Sequence, residues 1–254
     1  MSTIAVLHPG AMGAEVGRAL VDVGARVRWL PAGRGKATQR RAEDAGLVAA
    51  EGLSGCDLVI SVCPPGSALD VARAVRGFTG LYLDANAISP RTAAEVAGVV
   101  SEGGATYVDG GIIGGPPTVH GATRLYVSGS HAHQVAYEFV GSRLEAIVLE
   151  SGPYAASATK MVYASWTKIS SALLLAVRGT AAAYDVDDAL LAEWAMSQPE
   201  VEARSDRAAA SAAAKGWRWE AEMREIATTF AEAGLPAGFG EAAAEIFGKH
   251  NRPD

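Results

Sequence analysis

IAVLHPGAMGAEVGRAL, residues 4–20, reads as a buried strand, a tight glycine turn and the first turns of a helix. The apolar, β-branched opening suits a strand covered on both faces. Pro9 and Gly10 then punctuate the chain, and small and apolar residues recur at helical spacing. In a dinucleotide-binding turn the first glycine permits the tight bend, the second lets the main chain approach a pyrophosphate, and the third lets helix and strand pack closely. Gly10 and Gly13 occupy the second and third places, and His8 stands in the first. The absent glycine is the one whose task is conformational, and Pro9 supplies a preset φ beside it. Ala11 and Met12 complete the turn, and the amides opening a helix over residues 11–23 can receive an anion. His8, Pro9, Gly10, Ala11, Met12 and Gly13 are therefore the first candidate cofactor-binding residues, with His8 packed or hydrogen-bonded beside the turn and not catalytic.

The next signal lies at the end of the second strand. About 21 residues beyond Gly13, around Arg34, the sequence reads WLPAGRGKATQRR, and no acid occurs between Gly24 and Gln39. A cofactor with a free ribose 2′-hydroxyl would be met there by Asp or Glu. Arg34 and Lys36, with Arg40 and Arg41 nearby, instead offer the forked and point-charge donors suited to a 2′-phosphate. The expected cofactor is NADP(H) in preference to NAD(H); an exposed basic helix start is the alternative reading of the same residues.

The 254 residues allow one large domain or two smaller ones. Hydrophobic residues make up 49% and charged residues 20%, as in soluble globular proteins. A net charge of −6 argues against a general nucleic-acid or anionic-membrane binder, so any basic cluster needs a local explanation. No leader pattern opens the chain, and the apolar run from Ile169 is interrupted by Arg178, as in a buried helix and not a membrane span. Cys56 and Cys63 are too few for a disulfide framework or a metal cage, and with the absent leader they point to the cytoplasm. His131 and His133 sit two apart, on different faces of a helix, while His120 and His250 lack partners in sequence, so no metal is expected.

From residue 3 to about 149, the runs TIAVLH, RVRWL, DLVISVC, LYLDANA, TYVDGG, RLYVSG and EAIVLE alternate with helical patterns near 11–23, 36–46, 67–76, 90–102 and 131–141. Such alternation predicts an α/β, Rossmann-like, doubly wound and mainly parallel sheet, with room for one antiparallel strand late in the order. After Gly152-Pro153 the strand signals cease. The expected division is residues 1–152 for cofactor binding and 153–254 for an all-helical substrate and dimerisation domain. The latter opens with a helix from about Tyr154 to Tyr184, roughly 45 Å long at 1.5 Å per residue. So long a helix in so small a domain predicts a homodimer through the C-terminal helices.

The stretches HPGAMG, VCPP (62–65), DANAISP (84–90), VDGGIIGG (108–115) and SATKMVYASWTK (157–168) occur in the order found in the β-hydroxyacid dehydrogenase superfamily. The chain resembles this group, which includes 3-hydroxyisobutyrate and 6-phosphogluconate dehydrogenases. GLPAGFGEAAAEIF (234–247) resembles the helical C-terminal module of an uncharacterised branch. The resemblance implies that Cys63 and Pro64 border the cofactor and that Asn86 and Ser89 lie by the nicotinamide. Ser89 also reads as a cap for a helix starting at Pro90. The resemblance further implies that Lys160 is the catalytic general acid or base. Lys168, two turns later, is assigned a rim or structural role.

Two residues depart from the family pattern. Ile113 stands where a serine normally precedes the glycine pair Gly114-Gly115, and Tyr163 and Ala164 occupy the turn in which an asparagine orients the substrate. Each buried hydrogen-bond partner left unmatched weakens binding of a small acid by ~1 to 3 kcal/mol, which points to a bulkier or less polar substrate at Ile113, Gly114, Gly115, Tyr163 and Ala164. Trp166, Trp194, Trp217 and Trp219 are candidate pocket walls or packing residues. The reading is an NADPH-dependent oxidoreductase acting on a small-molecule carbonyl or alcohol in a cleft between the two domains. Imine reduction on the same scaffold and non-catalytic NADP(H) sensing are the alternatives.

Overall fold

The computed structural model describes residues 2–250. The chain divides after Lys160 into two compact units.

In the first unit β1 (Thr3–Val6) leads through the glycine turn into α1 (Ala11–Asp22). Then follow β2 (Arg26–Trp29), α2 (Lys36–Asp44), β3 (Val48–Ala49), β4 (Leu58–Ser61), α3 (Ala68–Ala74), β5 (Leu81–Asp84), α4 (Pro90–Glu102), β6 (Thr106–Ile113), β7 (Arg124–Ser128), α5 (Ala132–Glu138) and β8 (Glu145–Leu149). The eight strands form one sheet in the order β3-β2-β1-β4-β5-β6-β7-β8. All neighbours run parallel except β6 and β7, where Asp109 pairs with Ser128 and Ile113 with Arg124. This is the doubly wound α/β arrangement, with the late antiparallel strand, that the alternation of runs implies. β3 has no counterpart among the sequence runs, because two residues are too short to show a strand period.

Local chemistry accounts for the element boundaries. α1 buries Ala14, Val16, Ala19 and Leu20 on one face, against Ile4, Val6 and Val27 of the sheet. α4 starts where Ser89 Oγ accepts the Thr92 amide at 3.2 Å and Pro90 occupies the first turn, so the cap read from DANAISP is present. The opposite face of the sheet packs Ala5, Leu7, Val59 and Tyr82 against Ala72, Val96 and Val100 of α3 and α4.

Strand order reverses at β1, whose neighbours are β2 on one side and β4 on the other. In open α/β sheets, ligands bind outside the carboxyl ends of the strands at such a point. The connection from β3 to β4, residues 50–57, carries no helix. Next to it a cavity of about 830 Å3 opens, lined by Leu7, His8, Leu30, Arg34, Leu53 and Val71 among others.

The second unit is helical. α6 (Ala155–Ala164) crosses the division and continues as a π-helical segment, Ser165–Ile169, into α7 (Ser170–Ala183). The long helix read from the sequence is thus present, interrupted by five residues of wider winding. α8 (Asp187–Ser197), α9 (Val201–Lys215), α10 (Trp219–Glu232) and α11 (Gly238–Phe247) follow. Met223, Ile226, Ala212 and Phe247 are buried, and Trp219 meets Phe247 edge to face with ring centroids 4.9 Å apart. Among the described residues no helix is long and apolar enough to cross a membrane.

Candidate functional site

The turn after β1 is built around one carbonyl. Gly10 N donates to His8 O at 2.8 Å, and a Cβ placed on Gly13 would sit 2.2 Å from the same oxygen. No side chain fits at residue 13 while α1 enters at this angle, which is the close-packing task of the third glycine. Gly10 is the N-cap residue of α1; no side chain caps the helix and no acid occupies its first turn. The helix therefore presents its first amides and its positive dipole end at the reversal point of the sheet, the arrangement that receives an anion. Pro9 is buried, Ala11 is exposed, and Met12 packs against the core.

His8 and Arg34 meet. Arg34 Nη2 lies 2.7 Å from His8 Nε2. A guanidinium only donates, so Nε2 is the acceptor and the imidazole is neutral, with its proton on Nδ1. Burial, and then the charge of Arg34, lowers the His8 pKa from 6.5 to about 4, which keeps this acceptor in place at neutral pH. Nδ1 is buried without a partner among the described residues. Arg41 Nε reaches the Pro9 carbonyl at 3.5 Å and so ties α2 to the turn, whereas Lys36 and Arg40 are exposed on α2.

The loop after β4 is fixed from β5. Asn86 is buried; its Oδ1 accepts the Cys63 amide at 2.6 Å and its Nδ2 donates to Ser61 Oγ at 3.1 Å. Asn86 N in turn donates to Asp84 Oδ1 at 3.0 Å. The carboxamide thus stitches the ends of β4 and β5 together and sets the path of Cys63 and Pro64. Burial pushes the Cys63 thiol up to about 11, so it stays protonated at neutral pH.

Lys160 stands on α6 above β6. A Cβ on Gly111 would lie 2.9 Å from Lys160 Cβ and 2.6 Å from Ala156 O, so only glycine lets this helix approach the strand so closely. The helix start is anchored by a group that sequence reasoning missed. Asp109 Oδ2 accepts from Ser157 N at 2.9 Å and Ser128 Oγ at 2.9 Å, and Oδ1 accepts from Ser157 Oγ at 2.5 Å. Ser128 Oγ accepts the Ala156 amide at 3.0 Å. Burial raises the Asp109 pKa against the lowering effect of these bonds. An acid inside the apolar run TYVDGG is the sequence signal that could have flagged it, since buried acids need partners.

Ile113 is buried at the carboxyl end of β6, and Gly114 and Gly115 are exposed beyond it. Thr123 Oγ1 holds the Gly115 carbonyl at 2.6 Å. Tyr163 and Ala164 fall in the helical unit, Tyr163 exposed and Ala164 buried. Lys168 forms an ion pair with the buried Glu222, in agreement with a structural role. Trp194 is buried, and Trp166 and Trp219 line a cavity of the helical unit. His133 pairs with Glu150 on the surface at 2.8 Å.

Because β1, β4, β5 and β6 are parallel, the glycine turn, the Cys63 loop, Asn86 and the Gly111–Lys160 contact all belong to the carboxyl half of one sheet. A Rossmann-like sheet followed by a helical domain is also the fold of the 3-hydroxyacid dehydrogenase-like proteins. Residues 181–249 match a family described as a domain of unknown function, DUF1932. The conserved protein MTH1747 of unknown function, described by its structural similarity with 3-hydroxyacid dehydrogenases, is 26% identical, with a TM-score of 0.73 over 97% of this chain and 96% of its own. The 3-hydroxyisobutyrate dehydrogenase of Mycobacterium tuberculosis, solved with L-serine, is 21% identical, with a TM-score of 0.68 over 98% and 93% of the two chains. A reductive aminase from Aspergillus terreus, in complex with NADPH and ethyl-5-oxohexanoate, is 16% identical, with a TM-score of 0.60 over 99% and 96%. No curated protein matches the sequence.

Proposed function

We propose that the protein is an NADPH-dependent oxidoreductase that reduces a carbonyl, or oxidises the matching alcohol, with Lys160 as general acid or base. The observation that carries this reading is the convergence at one sheet edge of an uncapped helix N-terminus and a half-buried lysine. Gly13 is packed against His8 O on the helix side, and Gly111 lets Lys160 sit on β6.

The residues present fit a dinucleotide. A pyrophosphate would be held by the first amides of α1, with Gly10 leaving open space for its approach. Arg34, held by His8, would meet a 2′-phosphate, and the cavity lined by Leu30 and Val71 would take the adenosine end. The nicotinamide, when bound, supplies or accepts a hydride at the carbon that changes oxidation state. Lys160 gives a proton to the carbonyl oxygen as negative charge develops there, or takes it back in the reverse direction. Asp109, through Ser157 and Ser128, fixes the start of α6 and hence the place of that ammonium. Ile113 presents an apolar wall where relatives of the resembled group place a hydroxyl, which suits a substrate bulkier or less polar than a small hydroxy acid.

Imine reduction is the second reading, supported by the likeness to a reductive aminase and to an imine reductase from Streptomyces aurantiacus. Lys160 favours the carbonyl reading, because a carbonyl oxygen must gain a proton whereas an iminium arrives charged. A panel of carbonyls and imines followed at the nicotinamide absorbance band separates the two. Lys160→Met should then lower turnover about 100-fold or more while cofactor affinity is retained. A variant with undiminished turnover removes the lysine from the mechanism. A protein that binds NADPH and turns over nothing is a sensor.

A further inference from the structure

A second cavity, of about 390 Å3, is formed entirely by residues of the helical unit. One wall is α9, where Arg204, Arg207 and Lys215 recur at helical spacing and so share a face. The opposite wall is the π-helical segment with Trp166 and Lys168, and Trp219 at the start of α10 closes the end. Lys168 Nζ lies 5.4 Å from the Trp219 ring centroid and Lys215 Nζ 5.8 Å, both within cation–π reach.

The charges in this cavity do not cancel. Glu222 neutralises Lys168 from below, buried at 6% exposure. Arg204, Arg207 and Lys215 have no carboxylate partner among the described residues, and no acid lines the cavity. Like charges three residues apart on one helix face repel each other. A chain of net charge −6 has acids to spare, yet none of them lines this cavity beside the three cations. Trp166, 68% exposed, presents an apolar ring beside them.

We propose that this cavity binds a small organic anion with a flat, aromatic body, such as an aryl phosphate or aryl carboxylate. Arg204 and Arg207 supply forked donors and Lys215 a point charge for the anionic group. Trp166 and Trp219 offer ring faces to the flat part. The volume lies in the range of small-molecule pockets. The site uses no residue assigned to the nucleotide or to proton transfer, so it stands whether or not the redox reading does.

Calorimetry and tryptophan fluorescence with phenyl phosphate, benzoate, benzyl alcohol and inorganic phosphate test it. Phenyl phosphate or benzoate should bind saturably at one site per chain and change the emission. Affinity should fall roughly tenfold or more in the double variant Arg207→Gln, Lys215→Gln, and also in Trp166→Ala. Arg91→Ala, an exposed cation of the first unit that does not line the cavity, should change nothing, and binding should persist in Arg34→Ala and in saturating NADPH. The two glutamine substitutions are at exposed positions, so folding is retained, which a thermal melt checks. No saturable binding by about 10 mM overturns the proposal. Equal loss in Arg91→Ala, or inorganic phosphate binding as tightly as phenyl phosphate, does so too, because either outcome shows attraction without aromatic recognition. Displacement by NADPH also overturns it.

Discussion

Arg34 donates to His8 Nε2 across 2.7 Å, so the residue standing in for the first glycine of the turn positions the cation at the end of β2. Two departures from a plain dinucleotide fingerprint, an extra histidine and a missing acid, are thus one feature. A guanidinium oriented in advance loses less freedom when it meets a phosphate. Arg34→Ala should weaken NADPH binding by ~1.5 to 3 kcal/mol and leave NADH nearly unchanged. Titration of both cofactors by fluorescence checks this, and equal losses would remove the 2′-phosphate assignment.

His8 makes the fold sensitive to acid. Its pKa is near 4 in the folded protein and 6.5 when unfolded. Between these values the unfolded chain binds a proton that the folded protein does not, so stability falls as pH is lowered from 6.5 to 4 and this contribution is constant outside the window. His8→Asn should lose less melting temperature across that interval than the natural protein. Parallel melting curves for the two across the window would rule out this source of acid sensitivity.

Asp109 joins β6, β7 and the start of α6 through Ser128 and Ser157. Asp109→Ala leaves the Ser157 amide and hydroxyl without their acceptor and takes one from the Ser128 and Tyr107 hydroxyls, and should cost ~2 to 4 kcal/mol in urea unfolding. Ser157→Ala removes one donor and keeps the carboxylate's other bonds, with an expected loss of ~1 to 2 kcal/mol. In the proposed enzyme both changes should lower kcat more than they raise KM for the carbonyl, because they displace Lys160 and not the cofactor.

Gly111 and Gly115 are both glycines of the VDGGIIGG stretch, yet they should respond differently to the same change. A methyl group at Gly111 meets the Ala156 carbonyl at 2.6 Å, a backbone atom that cannot swing aside, whereas at Gly115 nothing lies within 4 Å. Gly111→Ala should destabilise by ~1 to 3 kcal/mol and reduce turnover, and Gly115→Ala should change the melting temperature little. Similar melting temperatures for the two variants would show that α6 does not depend on close approach to β6.

The helical unit exposes Val162, Leu173, Tyr184 and Met196, each 60% or more accessible. Apolar groups of this size on one unit support association of two copies through the C-terminal helices. Sedimentation equilibrium at micromolar concentration should give twice the chain mass, and a stable monomer would end the idea.

Features that depend on neighbours in the chain were legible before any coordinates. Strand, turn and α1 follow from IAVLHPGAMGAEVGRAL because periodicity and turn chemistry act over a few residues. The Ser89 cap followed from DANAISP for the same reason. β3 escaped because a two-residue exposed strand has no period to detect. The π-helical winding at Ser165–Ile169 escaped because its residues are as compatible with ordinary helix.

Composition and local order in the chain determined the doubly wound sheet, the change to helices after Gly152 and the glycine turn, since each is encoded by residues close in sequence. Tertiary structure alone decided that His8 holds Arg34, that Asp109 holds Ser128 and Ser157, and that α9 turns three cations toward Trp166 and Trp219. Most of these partners lie far apart along the chain, and a hydrogen bond or a ring contact depends on separations in space that no periodicity along the chain records.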